Sequence, residues 1–185
     1  MADNALINTL LLANSDDVAS SFRRALGSTS KLWVSTTTDN AISVLSDSSI
    51  ELIISTPKFA SSTGLHFFEQ IMPEYPDPVR IMIAEQSELD SVIEAINKGR
   101  IYKYIVSPWT DTQVQTIVKE AAEFYQLRTD LENRVSQFSD QLIQAELNLE
   151  ALIEDIQSSE NLDAQTKFDY ITRLKSTITL LDSPD

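Results

Sequence analysis

Apolar positions in the first part of the chain fall into short runs separated by stretches of helical spacing. Asn8-Thr9-Leu10-Leu11-Leu12-Ala13 is an apolar run that stops at the polar group Asn14-Ser15-Asp16-Asp17. A helix-like stretch follows to Leu26, and Gly27 ends it. Leu32-Trp33-Val34-Ser35 reads as a strand and Asp39 to Leu45 as a helix. Ile50 to Ile54 is a strand closed by Ser55-Thr56-Pro57. Gly64 to Ile71 is a helix with Leu65, Phe68 and Ile71 on one face. Val79 to Ala84 is a strand, Glu88 to Ile96 a helix stopped at Gly99, and Ile101 to Val106 a strand ended by Ser107-Pro108-Trp109. The five strands are apolar on both faces, as in a parallel sheet covered by helices on each side. The fold expected is α/β, a five-stranded doubly wound parallel sheet, with sites at the carboxyl ends of its strands.

After Pro108 the pattern changes. From Val114 to Ile156 there is no glycine and no proline. Apolar residues recur in alternating steps of three and four: Val114, Ile117, Ala121 and Phe124, then Leu131, Val135, Phe138, Leu142, Ala145, Leu149, Leu152 and Ile156. Arg128 is the one charged residue in this row. Such a register over about six heptads predicts a coiled coil. One helix from Thr110 to Gln157 would be roughly 70 Å long at its ordinary rise, too long to bury its stripe on the small α/β domain alone. A homodimer through this helix, with the two chains parallel, is the economical solution. The alternative is a partner within the same chain: after Ser158-Ser159-Glu160-Asn161, a second stripe runs through Phe168, Ile171, Leu174, Ile178 and Leu181. The pattern therefore divides the chain into an α/β domain over 1–112, a dimerisation helix over 113–157 and an amphipathic helix over 158–185. A charged residue inside a seam costs stability and can set register or oligomer state, the role expected of Arg128 with Glu123, Asp130 and Glu132 near it.

Charge narrows the partners. With 28 acidic against 14 basic residues the formal net charge is −14, so a phosphate backbone would be repelled by most of the surface and nucleic acid is not expected as a partner. The chain has no cysteine and a single histidine, His66, which excludes disulfides, thiolate chemistry and histidine clusters. No apolar run approaches the length of a bilayer span, and no basic segment precedes an apolar one at the start. A cytoplasmic protein that makes no membrane contact is expected. There is no P-loop, dinucleotide fingerprint, zinc spacing or plausible triad, so no enzyme activity, catalytic residue, metal or cofactor is expected. Glu150, Glu154 and Asp155 read as the solvated face of the long helix, His66 as a surface or capping residue, Trp33 as core, and Trp109 as packing near the last strand.

The run Ala95-Ile96-Asn97-Lys98-Gly99-Arg100-Ile101-Tyr102-Lys103-Tyr104-Ile105-Val106-Ser107-Pro108-Trp109 resembles the fourth-helix and fifth-strand region of receiver domains in bacterial two-component response regulators. Leu52 to Thr56 and Gly64-Leu65 are similar to the third strand and following turn of that family. The resemblance covers about 60% of the chain, in the order and spacing of a doubly wound domain. It implies an acidic pair after the first strand that helps hold Mg²⁺, an aspartate ending the third strand that accepts phosphate, a Thr or Ser ending the fourth, and a lysine after the fifth. The matching positions here read Asn14 and Ser15, Thr56, Ala84 and Ser107. Amide and hydroxyl groups are poor ligands for Mg²⁺, a threonine without a nearby base is a weak nucleophile, and Ala84 and Ser107 offer a phosphoryl group neither a side-chain donor nor a charge. Asp16 or Asp17 could stand in for one lost acid if the loop were shifted. A degenerate site, a pseudo-receiver, is expected. The resemblance further implies a cis bond before Pro108 and makes Tyr104 the switch aromatic of the fifth strand. With Ala84 leaving space beside it, Tyr104 is expected in one fixed rotamer; a simply packed strand tyrosine is the other reading.

Three functions follow as expectations. The first is a phosphorylation-independent signalling adaptor, a dimeric module that docks another signalling protein (a kinase, receptor or regulator). The second is the N-terminal regulatory part of a larger enzyme, a cyclic-dinucleotide enzyme or a histidine kinase. The third is a structural scaffolding protein assembled through the coil.

Overall fold

In the computed structural model, which describes residues 6–85, 87, 93, 96 and 101–181, the apolar runs become strands whose side chains alternate between two helical layers. The strands are β1 (Ile7–Leu12), β2 (Ser30–Ser35), β3 (Leu52–Ser55), β4 (Lys58–Phe59), β5 (Ser62–Thr63), β6 (Val79–Ala84) and β7 (Lys103–Val106). Five of them form one parallel sheet in the order β2-β1-β3-β6-β7. Leu10, Leu12, Ile53, Met82 and Ala84 face α2 (Thr38–Asp47) and α3 (Gly64–Ile71), where Ala41, Leu45, Phe67, Phe68 and Ile71 close one core. Leu11, Leu52, Ile54, Ile81, Ile83 and Ile105 face the other way. They meet Ala19, Phe22, Ala25 and Leu26 of α1 (Asp16–Leu26) and Val114, Val118 and Ala121 of the long helix Asp111–Ser158. Burial on both faces is why these strands read as continuous apolar runs rather than as alternating ones. Fully burying one such Leu, Ile or Phe side chain contributes about 1.5–3 kcal/mol, so the double layer is the main source of stability.

Among the described residues, the starts of α1, α2, α3, the long helix and the final helix each carry a hydroxyl or carboxylate that accepts an otherwise free amide. Ser15, Thr37 and Thr63 cap α1, α2 and α3. Thr110 and Gln113 cap the long helix reciprocally: Gln113 N–H donates to Thr110 Oγ1 at 3.3 Å and Thr110 N–H to Gln113 Oε1 at 2.8 Å. Asp163 caps the final helix, Ala164–Leu181, by accepting from Thr166 N–H at 3.0 Å. Hydrogen bonds from Thr166 hold the Asp163 carboxyl below its usual pKa. The short hairpin β4–β5 is not signalled by the pattern of apolar runs. The helix expected from Glu88 to Ile96 lies outside the described residues, apart from Ile93 and Ile96, which are helical.

The chain divides into two compact units, Met1–Arg128 and Thr129–Asp185. The boundary falls inside the long helix rather than at residue 112, because its first turns complete the core of the first unit. Val114 and Ala121 are fully buried there. Ile117 and Phe124, placed by spacing in a seam between two chains, belong to this packing as well. Ile117 lies against the core, and Phe124 stacks on Tyr102 with ring centroids 4.6 Å apart. Polar ties add to this: Arg24 Nε meets Asp111 Oδ2 at 3.1 Å, and Lys103 Nζ meets the Glu120 carboxylate. Arg128 donates to the carbonyl of Asp77 and lies over the Tyr125 ring.

In the second unit the final helix turns back beside the end of the long helix. Lys167 Nζ donates to the Gln157 carbonyl at 3.0 Å, and Lys175, Ile178 and Thr179 share a cleft with Glu150, Ile153, Glu154 and Gln157. Ile153 is buried, Leu149 and Ile156 are half-buried, and Ile171, Leu174, Ile178 and Leu181 are half-buried opposite them. The second stripe of the sequence therefore finds its partner within the chain, with Phe168 left outside at 65% exposed.

Candidate functional site

In a doubly wound sheet the natural site lies outside the carboxyl ends of the strands, where the strand order reverses. The reversal falls between β1 and β3, so the residues following them, Asn14 and Thr56, flank it. Ala84 ends β6 and Ser107 follows β7 on the same edge. The register sets Leu12 opposite Ser55, Ser55 opposite Met82, and Ala84 opposite Val106. The five positions singled out from the sequence thus come to one rim.

The side chains of Asn14, Ser15 and Thr56 are engaged by the protein itself, Ala84 has no polar group, and Ser107 brings an uncharged hydroxyl. The Asn14 amide spans to the β4–β5 turn, accepting from Ala60 N–H at 3.1 Å and donating to the Lys58 carbonyl at 3.4 Å. Ala60 takes a positive φ of 52°, a region unfavourable for a residue with a Cβ, and the bond from Asn14 holds the turn that requires it. Ser15 Oγ accepts from Asp17 N–H at 3.2 Å as the cap of α1. Thr56 Oγ1 lies 2.6 Å from the Lys58 carbonyl and 3.2 Å from the Leu12 carbonyl, so its single proton faces two acceptors and no base. Ala84 is fully buried, and Ser107 N–H donates to its carbonyl at 2.9 Å. The Ser107–Pro108 bond is cis. Asp16 and Asp17 sit in the first turn of α1, exposed, where acids complement the helix dipole. Among the described residues no group of three His, Cys, Asp or Glu side chains could hold a metal ion.

Beneath the rim the packing is close. Ser55 is fully buried and its hydroxyl donates to the Thr56 carbonyl at 3.0 Å. A Cβ at Gly64 would collide with Ser55 Oγ and with the Thr56 carbonyl, so glycine lets α3 start directly behind the end of β3. Tyr104, half-buried, packs into the cluster that contains Met82 and Ala84. Trp109 meets Phe22 at 5.5 Å between centroids, Trp33 is half-buried under Lys31 Nζ at 4.5 Å, and His66 is exposed, 3.9 Å from Glu69.

At the opposite end of the strands lies a feature that sequence reasoning missed. Arg80 is 7% exposed, and its guanidinium donates to the carbonyls of Tyr75 and of Pro76 (3.3 Å). Burial, and then the nearby charge of Arg128, push its pKa below the usual arginine value. Two arginines therefore gather the carbonyls of residues 75–77 at the point where the first unit ends. An arginine within an apolar strand was the available signal, since such a residue must find several acceptors.

Comparison with known proteins places this geometry. The chain is 33% identical over 101 residues to the hydrogenase transcriptional regulatory protein HoxA of Bradyrhizobium diazoefficiens; the match covers 55% of this chain and 21% of that protein. The chain thus spans about a fifth of that curated relative. Among solved structures it resembles a signal receiver domain of an HD domain-containing protein from Pseudomonas fluorescens Pf-5, with a TM-score of 0.62 and 22% identity, covering 68% of this chain and 93% of that one. It also resembles a chain described as adenylate cyclase from Rhodopirellula baltica, with a TM-score of 0.67 and 16% identity, covering 71% and 98%. No model of a protein family matches the chain. The first unit has the receiver-domain fold of response regulators.

Proposed function

We propose that the chain is a cytoplasmic, phosphorylation-independent adaptor of a two-component-type pathway. In this reading its receiver fold is a docking surface for a kinase, receptor or regulator, and its long helix joins two copies. The observation that carries the reading is the state of the strand-end rim. Asn14, Ser15 and Thr56 are tied into neutral hydrogen bonds within the chain, and Ala84 and Ser107 bring no charge. A phosphoryl group placed at Thr56 would meet the Lys58 and Leu12 carbonyls, and none of the five rim positions supplies the charge or metal ligand that phosphoryl transfer relies on. The signalling face is then constant, with Tyr104 held against the Met82–Ala84 core, and binding does the work of phosphorylation.

Titration of the full chain with beryllofluoride and Mg²⁺, followed through Trp109 and Trp33 fluorescence, tests this. No saturable change is expected. A saturable response that Thr56→Ala abolishes would mean the rim is an active phosphoryl site and would sink the proposal.

A second reading, the regulatory front of a larger enzyme, draws on the likeness to the chains described as adenylate cyclase and as part of an HD domain-containing protein. The relative from Bradyrhizobium diazoefficiens is described as a transcriptional regulator. A net charge of −14 argues against direct phosphate-backbone contact by this chain, so we assign its output to protein contact.

A further inference from the structure

The apolar face of the long helix in the second unit has two fates. Leu131, Val135, Phe138 and Leu142 follow one another in steps of four, three and four, and they are 61%, 61%, 66% and 49% exposed. Leu149 and Ile156 continue the same face but are half-buried, and the buried Ile153 between them shares a cleft with Lys175, Ile178 and Thr179 of the final helix. Ile153 is the buried residue of this part, while its neighbour Leu152 in the heptad row is 49% exposed.

We propose that the final helix is a stop placed in the dimer seam. A second copy of this chain covers Leu131 to Leu142, and the final helix holds the remainder of the seam against it. This rests on the dimeric reading above and adds where the dimer begins and what limits it.

Area and charge both favour this occupant. The four open side chains expose roughly 500 Å² per chain, hence roughly 1,000 Å² between two copies, at the lower limit of a specific interface. The same surface left in water would be a continuous apolar stripe on an otherwise acidic helix. Beyond Leu142 the long helix carries Glu146, Glu150, Glu154 and Asp155 and no basic residue. Two copies running side by side there would bring these carboxylates together. The final helix instead brings Lys175 into the cleft with Glu150 and Glu154 and Lys167 to the helix end. Charge complementarity therefore selects the cis partner in the acidic half and leaves the other half to a second copy. The two arrangements compete, because a second long helix extended along the seam past Leu142 would need the space that the final helix takes beside Ile153.

Sedimentation equilibrium on the full chain tests this with three variants whose expected signs differ. The wild-type chain should be a weak, concentration-dependent dimer. Val135→Asp/Phe138→Asp should weaken it by about a hundredfold or more, with the circular dichroism of the folded chain retained because both sites are exposed. Ile178→Asp, which loosens the final helix, should tighten the dimer by about tenfold as the seam lengthens. Leu180→Asp, at 75% exposed outside the covered face, should leave it unchanged. A chain monomeric in wild-type and Ile178→Asp forms alike would overturn the dimeric reading together with this inference. A dimer insensitive to Val135→Asp/Phe138→Asp, or one weakened by Ile178→Asp, would overturn this inference alone.

Discussion

Val114 and Leu131 occupy comparable points in two successive apolar stripes of a single helix, yet one is fully buried and the other 61% exposed. The stripe Val114, Ile117, Ala121, Phe124 and the stripe Leu131, Val135, Phe138, Leu142 have nearly the same spacing. The first lies on a sheet whose face is complete only when Val114, Val118 and Ala121 fill it. The second has no layer of its own unit over it. A three–four repeat specifies that a helix has an apolar face. It carries no information about whether a sheet, a returning helix or another chain covers that face.

The contrast can be broken most severely by placing a carboxylate in each stripe. Val114→Asp should cost about 3–5 kcal/mol, the penalty of an unpaired charge in a packed interior, and should be seen as loss of cooperative unfolding of the first unit in urea. Val135→Asp, measured at a dilution where the chain is monomeric, should change stability by no more than about 0.5 kcal/mol. Equal losses would mean that the second stripe is as buried as the first.

The junction supplies an intermediate effect. Arg128→Ala removes a charged hydrogen bond to the Asp77 carbonyl and should lower the urea stability of the first unit by about 1–2 kcal/mol. No change would place Arg128 outside that unit. Phe124→Ala should cost about 1 kcal/mol, since its ring stacks on Tyr102 but remains 39% exposed. Leu127→Ala, at 71% exposed, serves as its control and should cost nothing measurable.

The smallest effect concerns charge in the first unit. Burial raises the pKa of Glu51, opposed by a hydrogen bond from the Asn8 backbone. A carboxyl whose folded pKa is raised favours folding below its unfolded value, and that contribution is lost as pH rises through the folded value. Glu51→Gln should therefore be more stable than the wild-type chain near neutral pH. The advantage should fade as pH falls below the ordinary glutamate range of about 4.3. A pH series of thermal melts reads the sign directly; an advantage that grows toward acid would contradict the burial of Glu51.

Much of the strand-end rim was readable in the linear order. Asn14 follows the first apolar run, Thr56 the third and Ser107 the fifth, and Ala84 ends the fourth, so a parallel sheet had to bring their backbones to one edge. Their bonding was not readable. The Asn14 amide reaches a turn that depends on Ala60 at positive φ and on a two-residue hairpin with no apolar signature. The Arg80 and Arg128 anchors were hidden because the carbonyls they meet, at Tyr75, Pro76 and Asp77, are backbone groups present at every residue.

The sequence by itself determined the alternation of strands and helices, the burial of both sheet faces and the lack of carboxylates at the positions where the receiver resemblance calls for them. These follow from local composition, since an apolar run, a cap or a missing charge is a property of neighbouring residues. Tertiary structure alone decided which part of the long helix belongs to the first unit and that the final helix returns beside Ile153 and Gln157. The physical reason is that hydrophobic burial is non-directional. Apolar faces of similar size and spacing are interchangeable until chain connectivity, available area and the charges around them select which one is covered.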